Sequence, residues 1–265
     1  MKKYEFTGEV KTFIGKKLYR IRALISFGKV NAGDLGGWIE KENNLSQEGD
    51  AWVFGDARVY GNAEVSGNAR VYGNAEVSGN AEVSGNARVF GNAWVSGNAR
   101  VYGNARVYGD AEVYGDAWVF GNARVFGNAW VSGNARVYGN AEVSGDAEVY
   151  GDAWVFGNAR VFGNAWVSGN AWVSGNARVY GNAEVSGDAW VFKSAHYFIF
   201  GPAGSRNDFT TFMLCRDNTV KVKCGCFFGT TDEFMTKVKE THGDNKHARV
   251  YKMAVDIALV QIEKE

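Results

Sequence analysis

The side chains of this 265-residue chain best suited to chemistry lie after residue 193, where its three histidines and three cysteines are found. The most suggestive segment is Gly201-Pro202-Ala203-Gly204-Ser205-Arg206-Asn207-Asp208. A glycine-rich turn offers backbone N–H groups to an anion, and an arginine adds a bidentate donor for phosphate or carboxylate. Thr210, Thr211 and a helix start near Thr230 supply further donors. The expected ligand-binding set is Gly204, Ser205, Arg206, Thr210, Thr211 and His242, and its expected ligand is an anionic small molecule or a nucleotide. A plain structural turn is the competing reading. Asp208 and Glu233 carry acid–base chemistry only if the fold joins them.

Cys215, Cys224 and Cys226 with His242 could suggest zinc, but Cys-x-Cys is not the spacing of a standard zinc site. In Val220-Lys221-Val222-Lys223-Cys224-Gly225-Cys226 the thiols continue the apolar side of a strand, so buried core cysteines are expected. An odd number of cysteines, all C-terminal, is no secreted disulfide framework. No metal and no cofactor are expected.

The elements that must position these residues are dominated by a repeat. Twenty-four consecutive hexapeptides of the form Gly-(Asn/Asp)-Ala-x-Val-x run from Gly49 to Phe192 without an insertion. In Gly61-Asn62-Ala63-Glu64-Val65-Ser66, alternation at period two predicts a strand with one buried and one exposed face. Gly-Asn tolerates positive φ and predicts a bend every six residues. Three strands per turn make an 18-residue triangular coil, so 144 residues make eight coils. With strands about 4.8 Å apart the stack is about 38 Å tall.

The pattern resembles the hexapeptide-repeat, left-handed parallel β-helix family, in which an aliphatic residue is followed four positions later by a small one. Val53 with Ala57 and Val59 with Ala63 match it. The residue after the aliphatic departs from it, being Ser, Tyr or Phe. The left hand is what the resemblance implies. It also implies trimers packed side by side, and it raises acyl transfer, which in that family uses a histidine near the coils and often a protruding loop. These repeats contain neither, so an acyltransferase is the unfavoured alternative.

Residues 1–48 predict an N-terminal β cap: strands at Tyr4-Glu5-Phe6 and Lys17 to Phe27, then the turn Asp34-Leu35-Gly36-Gly37-Trp38-Ile39. With Asn44-Leu45-Ser46, this segment is similar to the start of an uncharacterised bacterial hexapeptide-repeat protein described as an acyltransferase. Residues 193–265 predict a small α+β domain. Its strands are Tyr197 to Phe200, Phe209 to Leu214 and Val220 to Phe228; one helix is capped by Thr230 or Thr231, and a second runs from about Lys246 to Glu263 with Tyr251, Val255, Ala258, Leu259 and Ile262 on one stripe. Gly201 to Asn207, Thr210-Thr211-Phe212, Cys224-Gly225-Cys226-Phe227 and Thr241-His242-Gly243 resemble a domain recurring in proteins of Firmicutes and their phages, which makes a phage origin an expectation.

If residues eighteen apart stack, one face carries Trp52, Arg70, Arg88, Arg106, Arg124, Glu142, Arg160 and Arg178. Every hexapeptide with Arg fourth has Tyr or Phe sixth, so cation–π contacts are expected along this face. A second face alternates acids with Trp94, Trp130 and Trp166 from Glu76 onward, and a third gathers Trp118, Trp154, Trp172 and Trp190. Eight Trp and fifteen Tyr or Phe are expected to point outward, and apolar area on that scale marks an interface. Arg88, Arg106 and Arg124 meeting Trp94, Trp130 and Trp166 of another copy is the expected contact. Repeat duplication without function is the bland alternative, and a polyanion or glycan along the arginines a third.

Net charge is zero, which is no basic footprint for nucleic acid. No apolar run is long enough to span a membrane. The N-terminus has no apolar stretch after its charges, so a cytoplasmic protein is expected, in the host cytoplasm if a phage encodes it. The reading that follows is a non-enzymatic, oligomeric solenoid that presents a C-terminal recognition domain. The alternative from another class is a phage-type protein that sequesters a phosphorylated small molecule or nucleotide signal.

Overall fold

A computed structural model describes residues 2–263. The chain opens with an antiparallel hairpin, β1 (Tyr4–Phe13) and β2 (Lys16–Ala23), followed by β3 (Leu35–Ile39). Twenty-four short strands follow, from β4 (Trp52–Val53) to β27 (Trp190–Val191). The chain closes with β28 (Tyr197–Ala203), β29 (Asp208–Leu214), β30 (Val220–Cys224), β31 (Phe227–Thr230), α1 (Thr231–His242) and α2 (Lys246–Gln261). This is a β-solenoid of stacked parallel sheets with a small C-terminal domain of four strands and two helices.

The repeat strands sort into three parallel sheets, each taking every third strand. Arg88 pairs with Arg106, Trp94 with Glu112, and Arg100 with Trp118, so residues eighteen apart do stack. Every repeat Ala and Val from Ala51 to Val191 is fully buried. Backbone N–H groups on either side of the core valines reach the coil above; Arg88 donates to the Ala105 carbonyl at 2.9 Å and Phe90 to that of Val107 at 3.0 Å. The corners carry a second ladder. From Asn68 through Asn86, Asn104, Asn122, Asn140 and Asn158 to Asn176, each side-chain amide donates to the next at 3.0–3.2 Å.

The corner glycines meet two demands at once. Gly97 has φ +66°, and a Cβ there would lie 2.8 Å from the Gly115 nitrogen of the next coil. A side chain is excluded by conformation and by space.

The solenoid has about nine turns, because an irregular coil precedes the eight regular ones. In β3, Trp38 pairs in parallel with Arg58 and Ile39 with Val59, and Leu45 bridges Val65. These offsets are twenty residues, not eighteen. Gly36 and Gly37 are required here by proximity: a Cβ on Gly36 would lie 2.5 Å from Ile21, and one on Gly37 2.7 Å from the Ala57 carbonyl. The hairpin closes over this coil, and β1 runs on to Phe13 rather than stopping at Phe6. It covers two aromatics expected to face outward. Trp52 is fully buried against Tyr4 and Phe27, and Tyr60 is buried against Phe13. Lys3 is buried as well, and its ammonium donates to the Glu48, Gly49 and Ala51 carbonyls at the first corner.

At the other end β29 is buried on both sides. Met213 and Cys215, just beyond the strand, join the solenoid core, while Phe212 and Leu214 join a second core with Val222, Phe234, Tyr251 and Ala254. Hydrogen bonds fix the junction: Glu184 N–H donates to Thr211 Oγ1 at 2.9 Å, and Arg216 N–H to the Asp188 carbonyl at 3.2 Å. The open end of the solenoid is thereby covered.

Two expectations for the C-terminal segment are corrected. Val220 to Phe228 is not one strand, because Gly225 at φ +58° turns the chain back between β30 and β31. Cys226 therefore sits exposed at the turn, while Cys215 and Cys224 are buried. Leu259 leaves the α2 stripe and is 42% exposed; Ala254, Val255, Ala258 and Ile262 hold the buried face with Tyr251.

Candidate functional site

The clearest concave site with convergent charge lies in the C-terminal domain. The turn between β28 and β29 supplies Ser205 and Arg206, the end of β30, the turn after it and the start of β31 supply Cys224, Cys226 and Phe227, and α1 and α2 supply the rest. Together they line a cleft of about 320 Å³. A larger hollow of about 660 Å³ lies in the notch between α1 and α2, lined by residues such as Met235, Asp244 and Lys252. There the charges are mixed. The smaller cleft gathers Arg206, Lys237 and His242 with no carboxylate among its lining residues.

These side chains are placed by their neighbours, and Lys237 pairs with Glu240 at 2.9 Å. Arg206 lies across the Gly225 backbone, where any Cβ would overlap its guanidinium, and donates through one nitrogen to the Cys224 carbonyl at 3.4 Å. The Cys224 thiol beside it holds the guanidinium above even its ordinary high pKa. His242 is in the last turn of α1 and stacks on the Tyr251 ring at 5.9 Å. Burial, then the Cys224 thiol, push the Tyr251 hydroxyl upward. Gly204 is packed so closely on that hydroxyl that no side chain fits there.

Of the six expected ligand-binding residues, Ser205, Arg206 and His242 line this cleft, and Gly204 sits against its Tyr251 wall. Thr210 and Thr211 do not join them. Both are buried; Thr210 Oγ1 donates to the Cys224 sulfur at 3.2 Å, and Thr211 faces the last coil. Alternation along a strand buried on both sides sends the two threonines into different contacts. Asp208 accepts the Phe209 N–H at 2.7 Å, and Glu233 closes a capping box with Thr230, which lowers its pKa. Lys237, Phe227 and Tyr251 were missed. Of these only Lys237 carries a local signal, since it shares a face of α1 with Thr241, next to His242; Phe227 and Tyr251 come from β31 and α2.

The outer ladders form the second candidate surface. Arg88, Arg106, Arg124, Arg160 and Arg178 are exposed on one face. The expected cation–π contacts do not form along it. Instead Tyr72, Phe90, Tyr108 and Phe126 stack on one another at 4.7–4.9 Å, nearly parallel. Glu142 interrupts the arginines and pairs with Arg124 at 3.5 Å and Arg160 at 3.3 Å. The cation–π stack lies on the third face, where Arg136 sits between Trp118 and Trp154 at 5.0 and 4.9 Å and Arg216 caps Trp172 at 4.2 Å. On the second face Trp94, Trp130 and Trp166 remain 41%, 43% and 42% exposed.

Among the described residues no cluster of His, Cys, Asp and Glu could hold a metal ion, and no helix is long and apolar enough to cross a membrane.

These features define a parallel β-solenoid whose C-terminal domain carries a cleft lined by Arg206 and Lys237. Ten stretches of the chain match a family model described as the YdcK beta solenoid repeat: 63–79, 81–97, 93–108, 99–115, 117–133, 129–145, 153–169, 159–175, 171–187 and 177–193. All lie in the repeat array, so the similarity concerns the rod. No curated protein matches the chain.

Proposed function

We propose that this protein is a non-catalytic scaffold: a rigid solenoid that associates side by side with further copies and presents its C-terminal cleft in multiple. The observation that carries the reading is the complementarity of two neighbouring faces. The arginine face holds six Arg against Glu142 alone. The tryptophan face holds Glu76, Glu112, Glu148 and Glu184 against Arg58, which is already paired with Glu76 at 3.1 Å.

Both faces share the rise of one solenoid, about 4.8 Å per coil. In the unshifted register of a closed ring, Arg70, Arg106 and Arg178 meet Glu76, Glu112 and Glu184, while Arg88, Arg124 and Arg160 meet Trp94, Trp130 and Trp166; Glu142 meets Glu148, the single like-charge contact between the two rows. A face about 38 Å tall and about 17 Å wide buries about 650 Å² per partner, near the about 800 Å² of a standard interface. Because the two surfaces differ, the contact is heterologous, and it closes into a ring where neighbouring faces of the triangular rod set a rotation of a third of a circle per copy. Three copies is the state expected from the resemblance of the repeats. Multiple clefts on one body raise avidity for a repeated partner.

Sedimentation of the full chain tests the reading. A cyclic oligomer at micromolar concentration, converted to monomer by replacing Trp94, Trp130 and Trp166 together with serine, is the expected result. A natural chain that sediments as a monomer throughout that range overturns it.

A further inference from the structure

We infer that the C-terminal cleft binds a nucleoside monophosphate, its phosphate on Arg206, Lys237 and His242 and its base against the aromatic wall. The inference stands whether or not the rods associate.

The charge pattern selects the anion. Three cationic or ionisable donors from two separate elements converge on one hollow whose lining holds no carboxylate. Lys237 is paired with Glu240 at 2.9 Å, outside the lining, whereas Arg206 meets only the Cys224 carbonyl and thiol, so an anion in the hollow would supply the counterion for the guanidinium. Arg206 spends one nitrogen on the Cys224 carbonyl, which fixes the plane of the guanidinium and leaves its other donors for the planar, two-point contact that phosphate accepts. Ser205 and Thr241 add hydroxyl donors at the same rim.

The wall selects the rest of the ligand. Phe234 and Tyr251 are buried at the back of the hollow, Tyr251 beneath the His242 ring, and Phe227, only partly buried, presents the accessible ring. A flat ring can cover such a surface, and a base stacked on an aromatic side chain gains about 1–3 kcal/mol. Size sets the upper limit. At about 320 Å³ the cleft is at the small end of ligand sites, which suits one nucleotide and excludes an oligonucleotide.

Calorimetry on the full-length protein provides the test, with the monophosphates of adenosine, guanosine, cytidine and uridine, inorganic phosphate, and the unphosphorylated nucleosides as probes. At least one monophosphate should bind at least ten-fold more tightly than either inorganic phosphate or its own nucleoside. Arg206→Ala and, separately, Lys237→Ala should each weaken that binding at least ten-fold with the circular dichroism spectrum unchanged. Arg206→Lys should fail to restore it, since a lysine cannot make the two-point contact. Both residues are exposed, so neither variant threatens the fold. No binding across the four monophosphates, or binding that neither variant weakens, overturns the proposal. Inorganic phosphate binding as tightly as the best monophosphate overturns the assignment of the aromatic wall. Loss of self-association with intact nucleotide binding bears on the scaffold alone.

Discussion

Trp94 and Trp130 stand on one face of the rod, two coils apart, with Glu112 paired between them. The Trp94 indole nitrogen donates to Ser78 Oγ at 3.2 Å, and Tyr114 meets the edge of Trp130 at 6.4 Å, so these exposed rings are held in place. An aromatic that is exposed yet fixed loses little entropy when a partner covers it.

Single Trp94→Ser, Trp130→Ser or Trp166→Ser substitutions should cost no more than about 1 kcal/mol, the central scale for point substitutions. They should nonetheless weaken self-association stepwise. Melting curves and sedimentation on the same samples check both halves. A large stability loss with unchanged association would mean the rings serve the rod itself.

The corners give a sharper contrast. Gly55 and Gly97 share positive φ, but a Cβ on Gly55 meets nothing within 4 Å, whereas one on Gly97 collides with Gly115. Gly55→Ala should cost only the left-handed penalty, about 1–2 kcal/mol. Gly97→Ala adds a backbone displacement in the coil above and should cost at least about 1 kcal/mol more, by analogy with core overpacking. Urea denaturation of the two variants measures the difference.

That contrast shows what the sequence carried. Stacking at eighteen residues, the three faces and the Ala/Val core follow from a period with no insertion. The coil before them was hidden because Trp38 to Arg58 and Leu45 to Val65 keep a different offset. With that coil unseen, the burial of Trp52 and Tyr60 could not be read. The site was half legible. Arg206 announced itself in a glycine-rich turn, but Lys237 and Tyr251 reach it from two helices, and no local spacing encodes that meeting. Thr210 and Thr211 misled because polar residues in a short motif look like ligands; the apolar run around them, Phe209 to Leu214, signals a strand buried on both sides.

Glu142 is the only acid in the arginine row and touches Arg124 and Arg160 at once. Both arginines are about half exposed, at 47% and 52%, so each pair is worth under about 1 kcal/mol. Glu142→Gln should lower stability by about that much in low salt and by nothing measurable near 1 M salt, where the Debye length falls to about 3 Å. Denaturation at the two salt concentrations checks it.

Lys3 ties the N-terminal hairpin to the first corner, and burial lowers its pKa from 10.5 to about 8, with Asp50 opposing. Between those values the unfolded chain binds more protons than the folded one, so this group makes stability rise with pH across that window. Tyr4 and Tyr197, held above 10 by burial, act in the opposite sense above pH 10, and Cys215, pushed from 9 to about 11, does so between those values. The difference between the natural chain and Lys3→Met isolates the lysine. Relative to the variant, the natural chain should gain stability from about pH 8 upward. A pH-independent difference would place the ammonium in water.

The last coil depends on β29 much as the first depends on the hairpin. Met213 is fully buried in the solenoid core, and its sulfur accepts the Ser186 N–H at 3.4 Å. Phe212, its neighbour, is as deeply buried on the other side, against the helices. Truncating either should cost about 2–5 kcal/mol, but the losses should fall in different places. Met213→Ala opens a cavity under the final coil and should raise amide exchange at Trp172, Trp190 and the strands around them. Phe212→Ala should loosen α1 and α2 and leave those coils protected. Hydrogen exchange read along the chain separates the two outcomes. Equal loosening of coils and helices in both variants would show that the two cores open as one cooperative unit, with β29 transmitting the defect between them.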